Sequence, residues 1–383
     1  MNEPNEYNEM GEYHIKSAER MIRALRGEGT DLLPVGLHAW GLFKFQLAGF
    51  LSGYEREDEA WALGGEKLAE IEENYYHTFK PDFLHLSEGP CVYPKYKMRD
   101  PRYQELMEEL RLLESKNVID TFVQECYPKP EEYLNSPRFK HVKILSEKLG
   151  SEVFITLHNA TPVNDIFDPE GFLGGFEQAM LAAVEKPEML AYLIYQSHMK
   201  HLDYQRALAR CGAHAHISTE AYLSSDLVSP AMYERIFFDT QMDYYKGVRA
   251  TGLIPIMCFW GNINPLLQFF RRLSIDGLLL EEPRKGYRID PAEVQREIGD
   301  GITIFGNLSA ETLLLNATPE DVAAETRRMI DSLDKKSRFV MCTGTPIAFD
   351  TPTDNLHAMI NTAREYVFNT ASSSVFVEVQ AAT

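Results

Sequence analysis

Three stretches in the C-terminal third decide the fold: Ile254–Asn262 reads IPIMCFWGN, Gly301–Leu308 reads GITIFGNL, and Ser337–Pro352 reads SRFVMCTGTPIAFDTP. Each is a short apolar run that breaks into Gly, Asn, Cys or Thr and leads into a helical pattern. A chain repeating this order builds a parallel βα protein, whose strand ends deliver polar side chains to one face.

Outward from these stretches, the same pattern extends over most of the chain. Strands are expected at Leu32–Leu37, Asp82–Leu86, Val153–Leu157, Ala213–Thr219, Leu253–Met257, Gly277–Leu280, Ile302–Phe305 and Arg338–Met341. Helical periodicity marks Ile15–Leu25, Trp61–Phe79, 101–116, 134–149, Gly175–Val184, Pro187–Arg210, Pro230–Ala250, Pro291–Ile298, Pro319–Leu333 and Asn355–Phe368. A Pro- and Tyr-containing insertion at Tyr127–Tyr133 follows the second strand, and residues 120–135 are placed to serve as a lid. Eight strands alternating with helices predict a single α/β (β/α)8 barrel with an N-terminal helical extension. The barrel is expected over 15–370, with a flexible tail at 1–14 and another at 371–383. No GxGxxG or GxxxxGK[ST] follows a strand, so a dinucleotide or phosphate cradle is not supported.

Composition narrows the function. The 383 residues are 44% hydrophobic, enough for a large core. A formal charge of −19, from 57 acidic and 38 basic residues, repels phosphate backbones and anionic lipid. Five widely spaced cysteines suggest reduced thiols rather than a disulfide framework. The polar start MNEPNEYNEMGEYH is unlike a signal peptide, and no apolar run reaches membrane-spanning length. A cytoplasmic protein with no nucleic-acid or membrane partner is expected.

Alternation along each strand nominates the groups at the mouth. On the fourth strand Ala213, Ala215, Ile217 and Thr219 share one face, and His214, His216, Ser218 and Glu220 the other. Small apolar residues outward would aim His216, Ser218 and Glu220 into the barrel, as a ladder for substrate or metal. The alternative is core histidines satisfied by their neighbours. Cys258 and Cys342 end the fifth and eighth strands, where two thiols and His38 or His158 would suit zinc, although buried cysteine is also common packing. Further mouth candidates are His38, Trp40, Glu88, His158, Asn159, Glu281, Glu282 and Asn307. Of the adjacent glutamates at most one points inward, and the other is expected to pair with Arg284 or Lys285. Aromatic residues (Trp40, Phe43, Tyr93, Tyr222, Phe259, Trp260) suit a flat or apolar substrate.

Longer segments add a resemblance. GDGITIFGNLSAETLLLNATPEDVAAETRRMID followed by CTGTPIAFDTPTDNLHAMI resembles the uroporphyrinogen decarboxylase superfamily, as do ERMIRALRGEGTDLLPVGLHAW and LVSPAMYERIF upstream. The resemblance covers residues 15–368 and implies a TIM barrel. True decarboxylases of the family carry arginines after the first strand and a histidine in the last turn. Here that segment reads GLHAWGLFKF, without arginine, and Thr345 occupies the last-turn position. The zinc-dependent methyltransferase branch, which exchanges methyl groups with a corrinoid protein, carries H-x-C-G-N after the fifth strand and a cysteine in the last turn. In this chain Cys258 stands at the histidine, Trp260 at the first cysteine, and Thr345 at the last, with Cys342 three residues earlier. Family barrels commonly pair as homodimers.

Three readings follow. The first is methyl transfer between a small methylated, aromatic-compatible substrate and a corrinoid protein. There His38, Glu88, His158, Glu220 and Glu281 orient or polarise the substrate, and Cys258 with Cys342 holds zinc. Tyr222, Trp260, Asn159, Asn307, Trp40 and Thr345 complete the substrate wall. The second is decarboxylation of a carboxylated, porphyrinogen-like or smaller substrate, with Asp82 or Glu88 donating the proton. The third is a non-catalytic binding barrel.

Overall fold

The computed structural model describes residues 15–39, 41–50, 63–87, 100–169, 171–283 and 286–368. The two tails, Trp40, Glu88, Tyr93, Arg284 and Lys285 lie outside them. Seven parallel strands pair in chain order: β1 Phe83–Ser87, β2 Phe154–Ala160, β3 Ala215–Glu220, β4 Ile254–Phe259, β5 Gly277–Leu280, β6 Thr303–Phe305 and β7 Phe339–Val340. The expected first strand is less regular. Pro34 has no N–H to give, and the segment makes bridges rather than a ladder. It still closes the ring. Gly36 N–H donates to Met341 O (3.0 Å) and Met341 N–H to Pro34 O (2.8 Å), while Asp82 N–H on the other side donates to Val35 O (2.8 Å). The result is the expected (β/α)8 barrel.

The helix Ser17–Arg26 plugs its base. Met21 and Leu25 pack into one cluster with Phe83, Phe154, Ala215, Ile217, Ile256, Cys258, Leu279, Phe305 and Val340, which come from all seven strands, and with Cys342 just after β7. That shared cluster is the barrel interior, and burying each large apolar side chain in it contributes about 1.5–3 kcal/mol. Polar contacts lock the plug in place. Arg20 pairs with Asp31 (2.7 Å) and Asp82 (2.5 Å), and Arg338 donates to Leu25 O (3.0 Å) and Arg26 O (3.1 Å) at the helix end.

Two helices break differently from expectation. The stretch after β1 turns at Leu113 (φ 44°) and divides into Pro101–Arg111 and Lys116–Cys126, the latter opened by the Ser115 hydroxyl accepting from Val118 N–H (3.4 Å). The insertion itself contains a short helix, Pro130–Leu134. Pro230–Ala250 is helical as expected, but Glu234–Phe238 has the wider π spacing. In β3 the alternation holds and the faces are exchanged. Ala215 and Ile217 face the interior, so His216, Ser218 and Glu220 face the helices.

Candidate metal centre at the barrel mouth

Three histidines meet inside the barrel. His38 follows the closing segment, His85 lies on β1 and His158 on β2, on the inward side of the pleat. One ring nitrogen from each lies within 4.8 Å of the others, the arrangement that could hold a metal ion. The ring centroids of His38 are 4.5 Å from His85 and 5.6 Å from His158. Burial pushes the His38 and His85 rings well below their ordinary titration range, helped by the neighbouring imidazoles and Lys44. Burial brings His158 down to about 4. All three are therefore neutral near pH 7, the form that ligates metal.

Neither ring nitrogen of His38 or His85 has a hydrogen-bond partner within the protein, although both residues are fully buried. Orphaned polar atoms at that depth are costly unless something meets them. His158 Nε2 contacts the Thr219 hydroxyl, which fixes the orientation of its ring. Three neutral imidazoles with ring nitrogens this close together are a donor set suited to a divalent ion such as zinc.

The backbone around the trio is braced by the last turn. His38 N–H donates to Thr343 Oγ1 (3.2 Å) and Ile347 N–H to His38 O (3.1 Å). The turns after β4 and β7 close over the end of β5. Gly261 has φ 110° and donates its N–H to Glu281 Oε2 (2.6 Å). A side chain at Gly344 would meet the Glu282 backbone nitrogen at 2.3 Å, so only glycine fits there. Glu281 also accepts from the Tyr287 hydroxyl (3.0 Å), placing a carboxylate beside the CFWGN turn. Trp260 Nε1 and Thr345 Oγ1, from the two turns that carry the family resemblance, are buried with no hydrogen-bond partner.

Cys258 and Cys342 do not form the expected metal set. Both thiols lie within the apolar interior cluster, and among the described residues neither joins a group of three converging ligands. Burial pushes Cys258 up to about 12 and Cys342 further still, so each stays a thiol at neutral pH.

Several other candidates are engaged elsewhere. Asp82 sits at the base, bonded to Arg20 and accepting from Val35 N–H (2.8 Å), far from any strand's C-terminal end. Glu220 lies behind the sheet, where its carboxyl accepts from Thr161 (2.9 Å) and Tyr245 (3.5 Å). Ser218 bonds the same tyrosine hydroxyl at 2.9 Å. His216 approaches Gln205 Nε2 (3.4 Å) and Asn159 Oδ1 (3.2 Å) in that outer layer, so Asn159 also faces the helices. Asn307 is a strut, donating to Glu281 O (3.0 Å) and Ile289 O (2.9 Å). The Tyr222 hydroxyl donates to Asp168 (2.5 Å) at the rim. Glu282 accepts from Ala310 N–H (2.5 Å); the expected rim cations Arg284 and Lys285 are outside the described residues. His85 and Lys44 are the site residues that sequence reasoning missed. For His85 the available signal was its parity with Phe83 and Ser87 on one strand face.

Comparison with known proteins agrees with this architecture. A methyltransferase structure from Methanosarcina mazei superposes with a TM-score of 0.72 at 18% identity, covering 92% of this chain and 99% of that one. The methylcobamide:CoM methyltransferase MtbA of the same organism is 24% identical over 230 residues, 59% of this chain and 62% of its own length. A uroporphyrinogen decarboxylase from Vesicomyosocius okutanii is 25% identical over 161 residues, 38% of this chain and 45% of that protein. The chain thus spans about three-fifths or less of the length of these curated relatives. No helix among the described residues is long and apolar enough to cross a membrane. The model of the family Uroporphyrinogen decarboxylase (URO-D) matches residues 137–366, more than half of the sequence, and the chain belongs to that family of enzymes.

Proposed function

We propose that the protein is a methyltransferase that exchanges a methyl group between a small methylated substrate and the cobalt of a corrinoid carried by a partner protein. The observation that carries this reading is the buried His38–His85–His158 trio inside a barrel of this family, in which the ring nitrogens of His38 and His85 have no partner within the protein. A zinc ion held by these three residues would supply a Lewis acid that polarises the heteroatom bearing the methyl group. In the transfer, the methyl carbon exchanges its bond to that heteroatom for a bond to cobalt. The heteroatom keeps the electron pair of the broken bond and takes up a proton.

The chain's own residues bind and orient. Trp260 Nε1–H, beside the Cys258 thiol, can turn to an oxygen of the substrate, and Thr345 Oγ1 can donate or accept. In this reading Glu281, held by Gly261 and Tyr287, is the carboxylate that receives or returns the proton. Aromatic walls such as Trp260 favour a flat, weakly charged substrate. Among the described residues the one buried arginine is Arg20, at the base, which weighs against a polycarboxylate and hence against porphyrinogen decarboxylation.

The test is optical. Reduced cob(I)alamin and the purified protein are mixed with O-, S- and N-methyl compounds, and conversion to methylcobalamin is followed by its visible spectrum. Conversion that depends on protein and on one substrate class supports the proposal. No conversion with any class, together with carbon dioxide release from a carboxylated ring substrate, would transfer the assignment to decarboxylation.

A further inference from the structure

A buried ion pair touches the main chain of one of the three histidines. Lys44, on the short helix Leu42–Leu47, is 1% exposed, and its ammonium donates to both oxygens of Glu72 (2.9 and 2.7 Å). Its third hydrogen bond goes to the backbone carbonyl of His85 (2.9 Å), and it lies 4.6 Å from the centroid of the Tyr75 ring. Glu72 comes from the helix Gly65–Phe79 behind the sheet. Burying two charges costs several kcal/mol before their attraction is counted, and well-packed apolar residues at such places are often as stable or more so. Stability alone therefore does not account for the pair.

The third bond supplies a reason. Lys44 lies six positions after His38 on the same segment, and its side chain reaches across to the main chain of His85 on β1. One ammonium thus ties the segment bearing one ring to the strand bearing another. Its three donors are all used, two by Glu72 and one by His85, so the geometry is fixed in every direction. Glu72 offsets part of the charge that would otherwise repel a cation. Tyr75 closes the remaining side with an aromatic face.

We propose that Lys44, with Glu72 as its counter-charge, is the positioning device of the metal centre: it sets the separation of His38 from His85 without touching the ion. This inference rests on the three-histidine reading. The pair binds nothing itself and is not a catalytic residue pair.

The experiment loads the full chain with Zn2+ and, separately, Co2+, and measures affinity by competition with a chromophoric chelator. The visible bands of the cobalt form report ligand geometry. In Lys44→Met/Glu72→Leu the charges leave together, so the fold is kept while the tie to His85 is lost. Metal affinity is expected to fall about 10- to 100-fold, as for other residues that orient metal ligands, with shifted cobalt bands and a little-changed melting temperature. A folded double variant with wild-type affinity and spectrum would overturn the inference. Should that variant not fold, Glu72→Gln serves instead: it leaves Lys44 uncompensated against the His85 main chain and must weaken metal binding, and unchanged affinity there would also overturn it. Wild-type protein that takes up neither metal would remove the three-histidine reading itself, and this inference with it.

Discussion

His85 and His158 lie face to face on neighbouring strands, with ring centroids 4.7 Å apart and planes 16° from parallel. Two imidazoles stacked this closely inside a barrel cannot both carry charge, and with His38 at their edge they form a neutral donor set. We expect His85→Ala or His158→Ala to lower zinc content from about one ion per chain to none. Cys258→Ser should retain the ion, because its thiol stands outside the trio. Elemental analysis of the purified variants decides this. Zinc that disappears with Cys258 and survives loss of His85 would move the site back to the cysteines.

A second set of histidines, away from the mouth, predicts acid lability. On the helix Pro187–Arg210, burial holds His198 at about 4 and His201 at about 3, against an ordinary 6.5. Their folded values are depressed, so the unfolded chain binds more protons between 6.5 and those values. The stability they contribute is complete above pH 6.5 and is lost as the pH falls through that window. Each group removes about 1.4 kcal/mol per pH unit there. The urea midpoint should therefore fall between pH 7 and pH 5, and His201→Gln should reduce the slope. A midpoint unchanged over that range would show that these rings are not held neutral.

Glu220 behaves in the opposite sense. Burial raises its carboxyl to about 8 from an ordinary 4.5. Its contribution is complete below pH 4.5 and is lost as the pH rises through 8, where the folded protein must bury a charge. Glu220→Gln keeps a neutral polar group of the same shape and should flatten stability between pH 6.5 and pH 7.5, inside the window from 4.5 to about 8. Denaturant melts at both values measure it, with wild type losing about 1.4 kcal/mol per unit in that interval. A wild-type curve as flat as the variant's would mean that the carboxyl is ionised when folded.

Much of the barrel was legible because apolar runs ending in polar clusters recur along the chain, and strand register preserves that repeat. Facing was not legible in β3. Alternation identifies two faces but not which one is inside. The narrow interior, filled by Phe83, Phe154 and Phe305, admits Ala215 and Ile217, whereas His216, Ser218 and Glu220 meet helices that supply Gln205, Tyr245 and other polar partners. His38 and His158 were readable as strand-end histidines. His85 was not, because it lies mid-strand, two residues before Ser87, and only the stagger between strands brings it beside His158. Lys44 gave no signal at all: a lysine on a short helix reads as solvated until Glu72, from another helix, is seen to cover it.

Asp82 supplies the sharpest contrast between a catalytic and an architectural acid. Its carboxylate is 1% exposed as a residue, accepts from Arg20 at 2.5 Å and from Val35 N–H at 2.8 Å, and so joins the plug helix to the closing segment. Asp82→Asn leaves Arg20 paired with Asp31 alone and is expected to cost about 1–3 kcal/mol for the weakened hydrogen bonds. Arg20→Met leaves Asp31 and Asp82 both without their cation, so Arg20→Met/Asp82→Asn, in which only Asp31 stays unpaired, should be less destabilised than Arg20→Met alone. Equilibrium denaturation of the three variants, Arg20→Met included, gives the coupling directly. A coupling near zero would mean that Arg20 is held by Asp31 alone. The seal at the barrel's base would then rest on the packing of Met21 and Leu25 against the interior phenylalanines.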